Sequence, residues 1–146
     1  MEKLLVSSCM LGVSCRYDGA SKIPFSEDIL ENLRTRYELI PFCPEIYGGL
    51  PTPRTPSERV GDEVYMKDGK CVTHNYKKGA DEALRLCRIL GIKKALLKEK
   101  SPSCGKGFIY DGTFSKRLIF GNGVCAELLM KSGVEVFGES EIDKLI

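Results

Sequence analysis

Seven cysteines, at positions 9, 15, 43, 71, 87, 104 and 125, are the residues of this 146-residue chain most able to do chemistry. Their number is odd. Their fraction falls below the ~8–10% that marks a chain stapled by disulfides. The opening Met1-Glu2-Lys3-Leu4-Leu5-Val6 reads as a strand and not as an export leader. Reduced thiols in a reducing compartment are therefore expected, with the cytoplasm as the location. Cys9, Cys43 and Cys104 each follow a segment that reads as a strand. In an open parallel sheet the ligand crevice lies outside the carboxyl ends of the strands. The three thiols, 34 and 61 positions apart, are thus expected to meet in one crevice. Thiolates select zinc, copper(I) or iron–sulfur clusters. Three protein ligands leave a metal position open, which is the mark of a catalytic centre. The competing reading is core filling, because free Cys is among the most buried residue types. There is no C-x-x-C pair to indicate a zinc ribbon or a dithiol oxidoreductase.

Other polar groups stand close to these cysteines in sequence. Glu45 follows Cys43 by two residues and could act as a general base on water, or be a solvated loop carboxylate. Ser101 and Ser103 bracket Pro102 before Cys104. Their hydroxyls could bind substrate or relay a proton, or simply form a turn. Arg16, in Arg16-Tyr17-Asp18-Gly19, could hold a carbonyl, carboxylate or phosphate. Arg54 could take a phosphate or face solvent. Cys15 reads as a supporting thiol. Cys71, Cys87 and Cys125 read as structural. His74, the only histidine, falls at a helix start away from the strand ends and reads as a surface residue.

The elements that must position these groups alternate between strand and helix. Leu4–Val6 reads as a buried strand. A helix capped by Ser26 follows, with apolar residues at Ile29, Leu30, Leu33 and Tyr37. Leu39–Phe42 is a strand whose Pro41 points to an edge. Residues 44–56 hold four prolines and two glycines, which reads as a stiff functional loop without helix. Lys67-Asp68-Gly69-Lys70 reads as a hairpin turn joining Val64–Met66 to Cys71–Thr73. A helix over 75–90 ends at Gly91. Lys94–Glu99 is a third strand, residues 108–114 a second small hairpin and 123–131 a helix. Val134–Phe137 is a fourth strand, and Ser140 caps a terminal helix. The expectation is an α/β fold in a single domain spanning 1–146. It has an open, largely parallel sheet flanked by helices in a Rossmann-like three-layer arrangement, with small β-hairpin insertions.

Charge and hydropathy narrow the function classes. With 22 Lys+Arg against 20 Asp+Glu the net charge is +2, which speaks against tight nucleic-acid binding. No apolar run reaches the ~18–20 residues of a membrane span.

The chain resembles the thiouracil desulfidase family in several ordered blocks. They are Ser8-Cys9-Met10-Leu11-Gly12, Cys15-Arg16-Tyr17-Asp18-Gly19, Cys43-Pro44-Glu45, Gly48-Gly49-Leu50-Pro51-Thr52-Pro53-Arg54 and Ser101-Pro102-Ser103-Cys104-Gly105. Ile109-Tyr110-Asp111-Gly112 and Gly121-Asn122-Gly123-Val124 extend the similarity. The resemblance implies a 4Fe-4S cluster held by Cys9, Cys43 and Cys104, with Glu45 and Ser101 as catalytic groups. It implies non-redox removal of sulfur from a small thiolated pyrimidine, as base or nucleotide, giving the oxo-pyrimidine and sulfide. On this reading Arg16 and Ser103 contact substrate. A non-catalytic metal-binding or sensing module, and a cysteine-persulfide sulfur-transfer enzyme, are the rival readings.

Overall fold

Leu4, Leu5 and Val6 are completely buried, and their alternation sets up two cores on opposite faces of one sheet. A computed structural model describes all 146 residues. Strands β1 (Glu2–Ser7), β2 (Tyr37–Phe42), β5 (Lys94–Leu97) and β8 (Glu135–Gly138) form the sheet, in the order β2-β1-β5-β8. Every pairing in it is parallel. One face carries Leu5, Ala95, Leu97 and Val136. Helices α3 (Thr73–Leu90) and α4 (Val124–Lys131) cover this face with Ala80, Ala83, Cys87, Cys125 and Leu129. The other face carries Leu4, Val6, Leu96 and Phe137, packed against Leu33 of α1 (Glu27–Arg36) and against Met10 and Leu145. The three-layer parallel arrangement expected from the sequence is therefore present.

Local sequence explains most element boundaries. The Ser26 side chain accepts from the Ile29 N–H at 3.3 Å, capping α1. Gly91 closes α3 in the left-handed region, φ 69°. Pro41 lies in β2 at the sheet edge, where a missing N–H is tolerated.

Four expectations need correction. Residues 44–56 are not wholly irregular, because Pro44–Tyr47 form a single helical turn, α2, with Pro44 at its first position. Proline is welcome there, since that N–H has no helical partner anyway. The first hairpin joins β4 (Glu63–Met66) to β3 (Ser57–Val60), not to Cys71–Thr73. The Asp68-Gly69 turn does form, but α3 begins at Thr73, so only an isolated Tyr65–Cys71 bridge remains on that side. In the second hairpin β6 (Phe108–Tyr110) returns through β7 (Leu118–Phe120), across a loop longer than expected. The terminal 3-10 segment Glu139–Lys144 is capped at Gly138, and Ser140 lies inside it.

All four carboxyl ends of a parallel sheet open on one side. The chain moves from β1 out to β2, then returns to place β5 on the other flank of β1. The topological switch point, where ligands bind in such sheets, is therefore between β1 and β5.

Candidate functional site

A cavity of ≈ 420 Å³ opens at that side of the sheet. Cys9, Cys15, Cys43 and Cys104 all line it, together with Glu45, Ser101 and Arg16. The strand-end residues thus meet as the topology requires. Ser103 does not reach the cavity and is fully buried. His74 is exposed on α3, Cys87 and Cys125 lie in the helical core, and Cys71 is exposed.

Three of the cavity cysteines are each held by a distinct device. Cys9 sits in the 3-10 turn Ser8–Leu11 that leaves β1. Cys43 is the N-cap of α2, and its carbonyl accepts from the Tyr47 N–H at 3.1 Å. This turn docks on α3 by backbone contact. Any Cβ at Gly79 would collide with the Pro44 carbonyl, so Gly79 makes the approach possible. Asn75 donates to the Gly48 carbonyl at 2.9 Å and locks the other end of the turn. Cys104 ends a turn in which Ser101 Oγ accepts from the N–H groups of Ser103 and Cys104, both at 3.1 Å. That turn rests on the start of α4. The N–H groups of Val124 and Cys125, unpaired within the helix, donate to the carbonyls of Pro102 and Ser103, both at 2.8 Å.

The centre of the site is the Glu45 carboxylate, which is buried. Ser103 Oγ donates to Glu45 Oε1. The Cys43 thiol lies 3.4 Å from Glu45 Oε2 and donates to it. Arg54 Nη2 stands 3.9 Å from the same oxygen, and this guanidinium is itself buried. Arg54 also donates to the Cys15 carbonyl at 3.1 Å and the Pro51 carbonyl at 3.1 Å. Ser101 Oγ and Ser103 Oγ are 2.9 Å apart. A hydroxyl has one proton, and that of Ser103 goes to Glu45, so Ser101 is the donor in this contact. The order Ser101 to Ser103 to Glu45 therefore follows from counting protons. Both acceptor sites of Ser101 Oγ are taken by backbone N–H groups. Its donor and acceptor capacity is thus fully used.

The thiols are electrostatically unlike one another. Burial, with Cys15 and Glu45 nearby, pushes Cys9 up to about 11. Burial and Glu45 push Cys104 up to about 12. The close interaction of Cys43 with Cys15 raises the Cys43 thiol and lowers that of Cys15 to about 7.

The donor set bears on what could bind. A single zinc would draw its thiolates to ~2.3 Å each. No group of three or more His, Cys, Asp or Glu side chains stands close enough to hold a metal ion. Three thiols on separate elements around one cavity are a donor set that a multi-iron cluster can share. An all-sulfur donor set matches the preference of iron–sulfur clusters.

Comparison with known proteins agrees with this chemistry. A family model described as 2-thiouracil desulfurase matches residues 4–141. The chain belongs to the 2-thiouracil desulfurase family. This bears out the resemblance drawn from the sequence blocks. Among relatives, an uncharacterized protein of Bacillus subtilis (strain 168), YbbK, is 37% identical over 153 residues, covering 98% of this chain and 99% of its own. Among solved structures, a 4Fe-4S-dependent thiouracil desulfidase, TudS (DUF523Vcz), is 46% identical with a TM-score of 0.94. That match covers 99% of this chain and 95% of the other.

Sequence reasoning missed part of the cavity. Arg54 neither faces solvent nor stands free for a phosphate. It is buried against Glu45, and its signal was the rigid Pro51-Thr52-Pro53-Arg54 run. Lys98, Tyr76, Glu58 and Phe114 also line the cavity, and nothing local in the sequence marked them.

Proposed function

We propose that this chain removes sulfur from a thiolated pyrimidine, 2-thiouracil or its nucleotide, to give the oxo-pyrimidine and sulfide. A C–S bond is replaced by a C–O bond from water, and no electrons are exchanged. The observation that carries this reading is the meeting of Cys9, Cys43 and Cys104 at one cavity beside a buried Glu45. These three cysteines would hold a 4Fe-4S cluster. When bound, that cluster supplies a thiophilic Lewis acid for the thiocarbonyl sulfur.

The chain's own residues supply the rest. Glu45 is the general base and takes a proton from water at Oε2. Oε1 is occupied by the Ser103 hydroxyl, whereas Oε2 is freed once Cys43 has lost its proton. Arg54 keeps Glu45 oriented. Ser101 lines the cavity and gives its one proton to Ser103, so it stands at the outer end of a proton relay that leads to Glu45. Ser103 positions Glu45 instead of touching substrate, because it lies behind the cavity wall. Arg16, whose guanidinium reaches the rim 3.9 Å from Asp18, contacts the pyrimidine edge. Seven unpaired cysteines are in keeping with work in the reducing cytoplasm. No helix is long and apolar enough to cross a membrane.

Glu45→Gln tests the assignment. Sulfide release falls about 100- to 10,000-fold while the brown cluster absorption persists, as loss of a general base requires. Full turnover in that variant refutes the role. Cys15 lines the same cavity, so a persulfide route is checked with Cys15→Ser, which abolishes turnover only if Cys15 carries sulfur.

A further inference from the structure

One wall of the cavity has no part in the chemistry above. It is the loop 111–117 between β6 and β7. Three non-glycine residues in the chain have a left-handed backbone: Lys100 at φ 69°, Phe114 at 58° and Lys116 at 61°. All three line the cavity. A bulky aromatic in this region is an outlier. Such strain persists only where the surroundings enforce it, and it gathers at ligand sites.

The enforcing group is Glu58, on β3. Its carboxylate is buried, and Oε1 accepts from the N–H groups of Gly112 at 2.9 Å and Phe114 at 3.1 Å. These are backbone donors, so Glu58 fixes the path of the loop and not one particular side chain. Two further bonds close the loop on itself: Asp111 N–H to the Arg117 carbonyl at 2.9 Å, and Thr113 N–H to Asp111 Oδ1 at 2.9 Å. A bridge between Lys100 and Ile109 ties the hairpin to the Ser101 turn. The loop is thus anchored on both sides of the cavity, with the half-buried Phe114 ring at the wall.

We propose that Phe114 is a specificity-determining residue whose ring is the apolar platform for the pyrimidine, and that Glu58 is the positioning residue that holds it there. The proposal rests on the desulfurase reading above. A flat heteroaromatic ring packs well on an aromatic face, and this interaction is tolerant of substituents at the ring edge. The left-handed conformation of Phe114 has a use on this account. It turns a large side chain out of the hairpin towards the cavity.

The test uses anaerobically reconstituted enzyme with 2-thiouracil as substrate. Phe114→Ala raises KM at least about fivefold, the scale of one lost base–aromatic contact, and the loss appears in KM and not in kcat. Phe114→Tyr restores it. Glu58→Ala reproduces the KM increase with Phe114 intact, and Glu58→Gln, whose amide oxygen still accepts both N–H groups, rescues it. A second readout needs no activity: trypsin cuts after Lys116 and Arg117 faster in Glu58→Ala than in the wild type. A wild-type KM for Phe114→Ala, or a loss confined to kcat, overturns the role of the ring. Equal cleavage of Glu58→Ala and wild type overturns the role of Glu58. If the wild type itself releases no sulfide, the desulfurase reading fails and the platform role of Phe114 falls with it; the trypsin comparison still decides Glu58.

Discussion

The helical layer and the strand ends of this protein both bury cysteines, and titration does not tell them apart. Cys87, packed in α3 among alanines and leucines, is pushed up to about 11 by burial alone. Cys9, at the cavity, is also pushed up to about 11. Cys125 in α4 rises well above an ordinary thiol for the same reason. The two regions differ in what each thiol faces. Cys87 and Cys125 touch only core. Cys9, Cys43 and Cys104 face a cavity at the switch point of a parallel sheet, and Cys104 does so while its other side packs into the same core as Cys125. Burial makes a thiol inert unless the fold also gives it a cavity to face.

The sharpest way to break this comparison is to replace thiols in both regions. Cys9→Ser, Cys43→Ser or Cys104→Ser removes the brown cluster absorption and sulfide release together. Cys87→Ala keeps both. Retention of the cluster in any of the first three variants, or its loss in Cys87→Ala, breaks the distinction.

Ser103→Ala probes the support behind the strand ends. It deletes the hydroxyl that holds Glu45 Oε1. A hydrogen bond to a charged group is worth ~1.5–3 kcal/mol, so turnover falls roughly 10- to 100-fold with the cluster retained. An unchanged kcat shows that Arg54 alone orients Glu45.

How much of this arrangement the sequence reveals depends on locality. The three cysteines and Glu45 are legible because each directly follows a strand-like segment or its loop, and parallel topology brings such positions together. Arg54 is not, because its partner is nine residues away across a proline-rich loop whose path is set by packing on β4 and α3. Glu58 escapes notice for a similar reason. Ser57-Glu58-Arg59-Val60 lacks a strong strand pattern and becomes β3 only by pairing with β4. The Asp68-Gly69 signal drew that pairing to the wrong side, since α3 starts too soon for Cys71–Thr73 to serve as a strand. Ser103 is one residue from Cys104, but which way it points is set by α4 behind it.

Within the helical layer the expected effects are on stability and not on turnover. Cys125→Ser places a hydroxyl in fully buried apolar surroundings, at a cost of ~1–3 kcal/mol. A lowered urea midpoint with normal kcat per folded enzyme is the expected result.

Carboxylates repeat the contrast on a smaller scale. Burial raises Glu141, but hydrogen bonds from Lys106, Lys144 and the Gly138 N–H outweigh it and hold this carboxyl down to about 2. Its folded pKa is depressed, so its stabilisation is present above the unfolded value of ~4.3 and is lost as pH falls towards 2. The group is partly exposed, and screening limits the effect to ~1 kcal/mol or less. Thermal unfolding of Glu141→Gln should therefore differ slightly from wild type at neutral pH and converge with it near pH 2. A difference that persists in acid contradicts this origin.

The most direct test of the central claim is sulfide release from 2-thiouracil by anaerobically reconstituted protein, set beside an aliquot stripped of iron by a chelator. Equimolar sulfide and uracil from the first, and none from the second, are the predicted results. Turnover by the stripped protein, or a fully loaded cluster that releases no sulfide, would contradict the assignment of these strand-end thiols to a desulfurase centre.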